Sequence, residues 1–321
     1  MQSVNFNWKI KDIYLSQLDW TETSFRLTYN RPLPPLVHSI RTIGIQHPMV
    51  LQEVGPERYR IVAGWRRLRA LQSIGLESIQ CRIAPAEIPD GELLIWNFYD
   101  NLDRGFNPVE QVLAIKKMSA FVNEKALLDD ILPLLGLASK TEILRRYLTI
   151  GELSPSYQNA LFQNRLFPET IESSMRDFPN LTNCILALFI FLQWGYQKQK
   201  EFLADLLELS KRSGQDPRGI LFSKPITEIF QYSLWSPQQK GAALRKYFRA
   251  CLFPALTETE KAFSRSVASL NLDQRTKIAP PPFFEGGKYR LEVAFSSNRE
   301  LSQSLERILP SLEEEKFDGL P

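Results

Sequence analysis

Apolar and polar residues alternate in short bursts over the first hundred positions, then settle into three- and four-residue spacing for most of the remaining chain. The alternation predicts strands over 10–15, 48–53, 59–63 and 79–83, and the helical spacing predicts helices over 33–42, 65–74 and 92–98. Gly75 stands where a helix C-terminal glycine belongs. The strands on either side of Val54-Gly55-Pro56-Glu57-Arg58 read as a hairpin, which makes the small sheet mixed. From Asn107 the pattern is helical. Asn107-Pro108-Val109-Glu110 combines a capping Asn, a Pro at the first helical position and a Glu at the third, opening a helix to about 123. A short helix over 127–135 is interrupted by Gly136, and Ser139-Lys140-Thr141-Glu142 reads as a second capping box for a helix through Ile150. This succession outlines a helix-turn-helix or a plain helical hairpin.

Further helices are expected over 183–194 and 201–212, with starts at Ser236-Pro237-Gln238-Gln239 and Thr257-Glu258-Thr259-Glu260. Ile278-Ala279-Pro280-Pro281-Pro282 reads as a stiff linker. A strand over 289–295, a helix over 298–309 and an acidic, solvated tail at Glu313-Glu314-Glu315-Lys316 follow. The expected fold class is α+β: a small mixed-sheet domain over 1–103, an all-α helix-turn-helix region over 104–180, a helical domain over 181–277 and a Pro-rich linker with a small β-α segment over 278–321.

Composition narrows the function classes. A hydrophobic content of 44%, a charged content of 23% and a net charge of +3 describe an ordinary globular protein and permit nucleic-acid binding without arguing for it. Cys81, Cys184 and Cys251 are far apart and form no CxxC, which fits a reducing compartment. Residues 1–6 lack a basic-then-apolar signal, and the longest apolar run, 184–192, is too short for a membrane span and reads as a buried helix. The expectation is a cytoplasmic protein with no membrane partner. Two histidines, His38 and His47, exclude a His-rich metal site, and no catalytic triad is visible.

The most informative stretch is Ala63-Gly64-Trp65-Arg66-Arg67-Leu68-Arg69-Ala70, with three arginines in four positions after an apolar strand and a glycine. A strand, a glycine and a helix start offer free backbone N–H groups and a positive dipole end, both suited to an anion. At about 100° per residue, Trp65, Arg66 and Arg69 share one side of the helix, while Arg67 falls with Leu68, Leu71 and Ile74 on the side expected to face the core. A buried guanidinium needs a carboxylate or a phosphate, so Arg67 calls either for a structural ion pair or for a ligand.

The order of these pieces resembles the ParB family of partition proteins over about residues 10–165. Gly44-Ile45-Gln46-His47-Pro48-Met49-Val50 is similar to that family's first nucleotide motif. Gly64-Trp65-Arg66-Arg67-Leu68-Arg69-Ala70 is similar to its GERRxRA box, and Asp100-Asn101-Leu102-Asp103-Arg104 to its ENxxR box. The resemblance implies a nucleotide domain that binds CTP and Mg²⁺, and a helix-turn-helix that loads a homodimer onto DNA. It implies that Gly64, Arg66, Arg67, Asn101 and Arg104 hold the nucleoside triphosphate and that Asp100 stands at the metal-binding position. It also places Lys140, Thr141, Arg145 and Arg146 on the DNA-reading helix.

The sequence departs from the family pattern at several points. Trp65 replaces the Glu of the GERR box, a position linked in the family to hydrolysis, so at most a weak CTPase is implied. His47 stands where Gln is common. Neither the family's compact C-terminal dimerisation domain nor its Arg-rich N-terminal tail is visible. The sequence therefore reads as a nucleotide-gated DNA-binding protein acting in DNA partition, plasmid or chromosome maintenance, or regulation. The alternatives are an enzyme of the wider ParB/sulfiredoxin-like superfamily, a nucleotide-dependent kinase or a nuclease, and a scaffold that has lost nucleotide binding.

Overall fold

The computed structural model describes residues 8–321, so the reading of residues 1–6 lies outside the described residues. The chain forms two compact units, one reaching Ile190 and including Trp194–Tyr196, the other comprising Phe191–Gln193 and Gln197–Pro321.

In the first unit, strands β1 (Lys9–Tyr14) and β2 (Leu18–Asp19) precede helix α1 (Pro34–Ile43). Strands β3 (Met49–Gly55) and β4 (Arg58–Ala63), helix α2 (Trp65–Ile74), strand β5 (Ser78–Ala84) and helix α3 (Asp90–Asp100) follow. The sheet runs β1-β5-β3-β4-β2. It is mixed: β3 and β4 form the expected antiparallel hairpin, while β3 pairs with β5 in parallel. The two-residue β2 is too short to register as alternation in the sequence. Met49, Leu51 and Ile61 have no solvent exposure, and α2 supplies Leu68 and Leu71 to the same core. Gly75 ends α2 in the left-handed conformation, φ 79°.

Helix α4 (Pro108–Met118) begins at the expected capping box, with Asn107 Oδ1 accepting from the N–H groups of Val109 and Glu110 at 3.1 and 3.0 Å. It stops short of 123 because Asn123 caps the next helix instead, accepting from Ala126 N–H at 2.9 Å. That helix is a composite of α5 (Glu124–Ala126), a π-turn (Leu127–Ile131) and α6 (Leu132–Leu134), ended by Gly136 at φ 73°. The π-turn ends two residues before Pro133, which has no N–H to continue the α-helical ladder.

Helix α7 (Thr141–Ile150) runs to the expected end, but the Ser139 capping box does not form. The capping position is Lys140, whose extended backbone supplies the first helical acceptor, Leu144 N–H to Lys140 O at 3.1 Å, so Ser139 stands one residue too early. Helices α8 (Pro155–Phe162), α9 (Pro168–Asp177) and α10 (Thr182–Leu192) complete the region. The apolar run in α10 is one-sided rather than fully buried: Ile185, Leu186 and Phe189 are inside, while Cys184 and Ala187 are exposed.

The second unit contains α11 (Tyr196–Ser213) from Gln197 onward, α12 (Pro217–Leu221), α13 (Lys224–Gln231), α14 (Pro237–Leu252) and α15 (Pro254–Ser269). Phe202 and Phe248 pack at 5.2 Å between ring centroids. Ser236 and Gln239 form the expected reciprocal cap on α14. Thr257-Glu258-Thr259-Glu260, by contrast, is no helix start. It lies inside α15, because Pro254 at the first helical position opens that helix earlier. Residues Ile278 and Ala279 belong to strand β6 (Thr276–Ala279), paired antiparallel with β7 (Arg290–Val293), and Pro282 opens a 3-10 turn (Pro282–Phe284), so the stretch read as a linker lies inside a strand pair. Helix α16 (Asn298–Glu313) ends the fold, and Asp273 ties it to β6 by accepting from Ser304 Oγ and Thr276 Oγ1, both at 2.7 Å. No helix among the described residues is long and apolar enough to cross a membrane.

Candidate functional site

The first unit places a cavity of about 570 Å³ over the N-terminus of α2. The helix starts at Gly64, whose φ is 111° and where a Cβ would lie 2.7 Å from Met49 Cγ. Glycine is therefore required twice, for the left-handed turn and for the close passage over β3. The first helical bond runs from Leu68 N–H to Gly64 O, so the N–H groups of the first turn have no intrahelical acceptor.

The side chains of that turn take three different positions. Arg67 is half-buried, and its Nη1 donates to two backbone carbonyls, those of His47 and of Pro48, the latter at 2.9 Å. The sequence asked for an anionic partner, and the structure supplies carbonyl oxygens from the 44–48 turn instead of a carboxylate. Burial pushes the Arg67 pKa down, and the charge of Asp100 opposes that shift. Arg66 donates through Nη2 to Pro32 O at 3.1 Å, while its Nε is buried with no partner. Burial lowers its pKa, and the neighbouring Arg31 adds to the effect. Trp65 does not share an open side with Arg69 as helical angles suggested. Only 7% of it is exposed, it packs with Leu68 and Leu71, and Arg26 lies 5.5 Å from its ring centroid. Arg69 alone of the group is exposed.

A further part of the lining comes from the end of α3 and the turn after it. Asp100, Asn101, Asp103 and Arg104 all line the cavity, so the structure brings all six residues assigned to nucleotide and metal into one place. Asn101 Nδ2 donates to Asn97 O at 2.7 Å, and its Oδ1 accepts from Arg104 Nε at 2.6 Å. Among the described residues no group of three or more His, Cys, Asp or Glu is placed to hold a metal ion.

Arg104 leads to the residue that sequence reasoning missed. Its Nη1 donates to both oxygens of Glu110, at 3.0 and 2.9 Å. Glu110 has no solvent exposure and also accepts from Arg31 Nε at 3.0 and 3.1 Å and Nη2 at 2.6 Å. The backbone N–H groups of Tyr29 and Asn107 complete its shell, each at 3.1 Å. The sequence signal was present only as the third position of a capping box; its two arginines come from 79 and 6 residues away. Burial would raise the Glu110 pKa, but the bonds from Arg31, the charge of Arg104 and the two backbone donors outweigh it, and the net shift is downward. A carboxylate with a depressed folded pKa stabilises above its ordinary value of 4.5 and loses that contribution as the pH falls through the lower folded value. The first unit is accordingly expected to lose stability below about pH 4.5, with Glu110→Gln flattening that part of a pH–melting curve. An unchanged curve would mean that other carboxylates govern the acid transition.

The four residues assigned to DNA sit at and on α7. Lys140 and Arg145 are exposed and Thr141 half-buried. Arg146 is held against α9, with Nε and Nη2 on Glu172 at 2.7 and 2.6 Å and Nη1 on Glu169 at 3.3 Å.

Residues 7–102 match the model of the ParB N-terminal domain. A probable chromosome-partitioning protein ParB of Pseudomonas putida is 37% identical over 87 residues, 27% of this chain and 29% of that protein. A protein of the same description from Chlamydia pneumoniae is 30% identical over 146 residues, 44% of this chain and 49% of that protein. The chain thus spans less than half the length of these relatives. A solved structure, C-terminally truncated ParB from Caulobacter crescentus complexed with CTP-gamma-S, aligns at 21% identity over 56% of this chain and 92% of that one, with a TM-score of 0.26. The matched stretch contains every cavity-wall residue from Gly64 to Asn101, whereas Arg104, Glu110 and α7 lie beyond it.

Proposed function

We propose that this chain is a nucleotide-gated DNA-binding protein of the ParB type, acting in DNA partition or maintenance and bound to DNA as a homodimer. In this reading residues 1–103 bind a nucleoside triphosphate, CTP by resemblance, and residues 104–180 bind DNA. The observation that carries it is the cavity at the start of α2, which the first-turn residues Arg66 and Arg67 line together with Arg104. Its volume is within the range of small-molecule sites, and its charge suits a triphosphate. With both Nη1 hydrogens on carbonyls, Arg67 keeps Nη2 and Nε for phosphate oxygens. Asp100 fits a Mg²⁺ ion only in the mode where one carboxylate is joined by phosphate oxygens and water, since no protein cage is present among the described residues. Bound there, the ion would neutralise phosphate charge.

The link to DNA runs through Glu110. A phosphate in the cavity competes with this carboxylate for Arg104, and Glu110 also caps the first turn of α4, the helix on which α7 packs. Nucleotide occupancy therefore bears on the helix-turn-helix through one shared guanidinium.

DNA binding by the full chain to fragments of genomic DNA, measured with and without CTP and Mg²⁺ across a salt series, tests this reading. Arg145→Ala is expected to reduce the slope of log affinity against log salt by about 0.9, one phosphate contact. Arg146→Ala should leave the slope unchanged, because Glu169 and Glu172 already hold that side chain. No DNA retention at low salt, with or without nucleotide, would contradict the proposal.

A further inference from the structure

The positive charge of the chain is unevenly spread. Residues 191–252 hold ten Lys and Arg against five Asp and Glu. Over residues 1–190 the two kinds are equal in number, and over 253–321 the acidic residues lead. The excess that makes the whole chain +3 therefore lies in the stretch that forms α11 to α14. Such a local excess is the electrostatic footprint of a polyanion site. Helix α14 concentrates it, with four Lys and Arg and no acidic residue. Ala242, Arg245, Lys246 and Arg249 recur at three- and four-residue steps on its exposed face. Glu201 of α11 and Glu260 of α15 meet Arg245 and Arg249 at 3.2 and 2.7 Å. All four side chains are well exposed, and ion pairs of that kind are weak enough for a phosphate to displace.

The turn leading into this helix carries aromatic rings in the open. Tyr232 is 56% exposed, Leu234 87% and Trp235 37%. The Tyr232 and Trp235 rings lie 5.0 Å apart between centroids, and Trp235 N–H donates to Tyr232 O at 3.4 Å. The turn is anchored at its start by the buried Lys240, whose Nζ donates to Phe230 O at 2.7 Å and lies 5.8 Å from the Phe191 ring. Solvent-facing rings beside a row of cations suit a partner with flat apolar faces on a charged backbone. The bases of a duplex bury their faces against each other, whereas a single strand leaves them open for stacking. From Ser236 to Arg249 the helix runs roughly 20 Å at about 1.5 Å per residue, the length of about six stacked nucleotides.

We propose that the α13–α14 turn and the exposed face of α14 form a single-stranded nucleic-acid site. Tyr232 and Trp235 stack on bases, while Arg245, Lys246 and Arg249 take phosphates. The bound strand replaces Glu201 and Glu260 as the partner of the two arginines. The site needs neither the cavity at α2 nor the helix α7.

Fluorescence anisotropy with the full chain, a labelled single-stranded oligothymidylate of about twenty nucleotides and no nucleoside triphosphate tests this. Trp235→Ala and Tyr232→Ala alter exposed side chains, so the melting temperature should change little. Each is expected to weaken binding of the single strand about tenfold, the loss of one stacked base. Lys246→Ala should reduce the slope of log affinity against log salt by about 0.7, one single-strand phosphate contact. Equal affinity of the natural protein and Trp235→Ala for the oligothymidylate would overturn the inference. So would an equal loss on a duplex of the same length, which has no free base faces. Attachment to anionic phospholipid vesicles that Trp235→Ala abolishes, with the single strand unbound, would overturn it in favour of a membrane surface. None of these outcomes bears on triphosphate or duplex binding by the first unit, and failure of those functions leaves the single-strand result unchanged.

Discussion

Glu110→Ala is expected to lower the melting temperature of the first unit by roughly 6–20 °C. Removing one partner of a buried ion pair costs about 3–5 kcal/mol, and each kcal/mol shifts a unit of this size by about 2–4 °C. The arithmetic is unusually direct here because the carboxylate is fully buried and serves two arginines at once. Its loss leaves Arg31 and Arg104 facing each other with no anion between them, and leaves the N–H groups of Tyr29 and Asn107 without acceptors. Glu110→Gln should fall between the two, since an amide oxygen still accepts while the charge is gone. The two variants, followed by thermal melts at neutral pH, separate the electrostatic part from the capping part. A shift within a degree for Glu110→Ala would show that the arginines find other partners and that the link from cavity to α4 is dispensable.

The second large effect is on ligand binding. Arg67→Ala is expected to weaken triphosphate binding roughly a hundredfold through lost charge-assisted bonds, and Arg69→Ala by less than about threefold, as for a solvent-screened charge. Arg67 bonds to the carbonyls of His47 and Pro48, so it both offers donors and holds the 44–48 turn that forms part of the cavity wall. Arg69 is exposed and does not line the cavity. If Arg67 were only a staple for that turn, its removal would lower the melting temperature and leave the affinity of the folded fraction intact. Binding isotherms and melts on the same two variants distinguish these outcomes.

Much of the fold was legible because it rests on local physics. The hairpin, the mixed sheet and the caps at Asn107 and Ser236 follow from alternation, turn residues and capping chemistry that act within a few positions. The failures share a cause. Ser139 has the right residue type one place too early, and Thr257 lies in a helix already begun by Pro254. In both cases a local motif was outcompeted by a neighbouring start. The candidate site was legible in its membership but not in its bonding. Gly64, Arg66, Arg67, Asp100, Asn101 and Arg104 do surround one cavity. Periodicity could not reveal that Arg67 meets carbonyls, that Arg146 is claimed by α9, or that Trp65 belongs to the core. Glu110 was visible as a cap and hidden as a hub, because Arg31 reaches it from 79 residues away.

The central claim is that the cavity at the start of α2 is a nucleoside triphosphate site. Calorimetric titration of the full chain with CTP, ATP and GTP, each with and without Mg²⁺, tests it most directly. The account predicts saturable binding of one nucleotide per chain, strongest for CTP with Mg²⁺ and weakened roughly a hundredfold in Arg67→Ala. Absence of binding for all three nucleotides, or binding that survives Arg67→Ala unchanged, would contradict it.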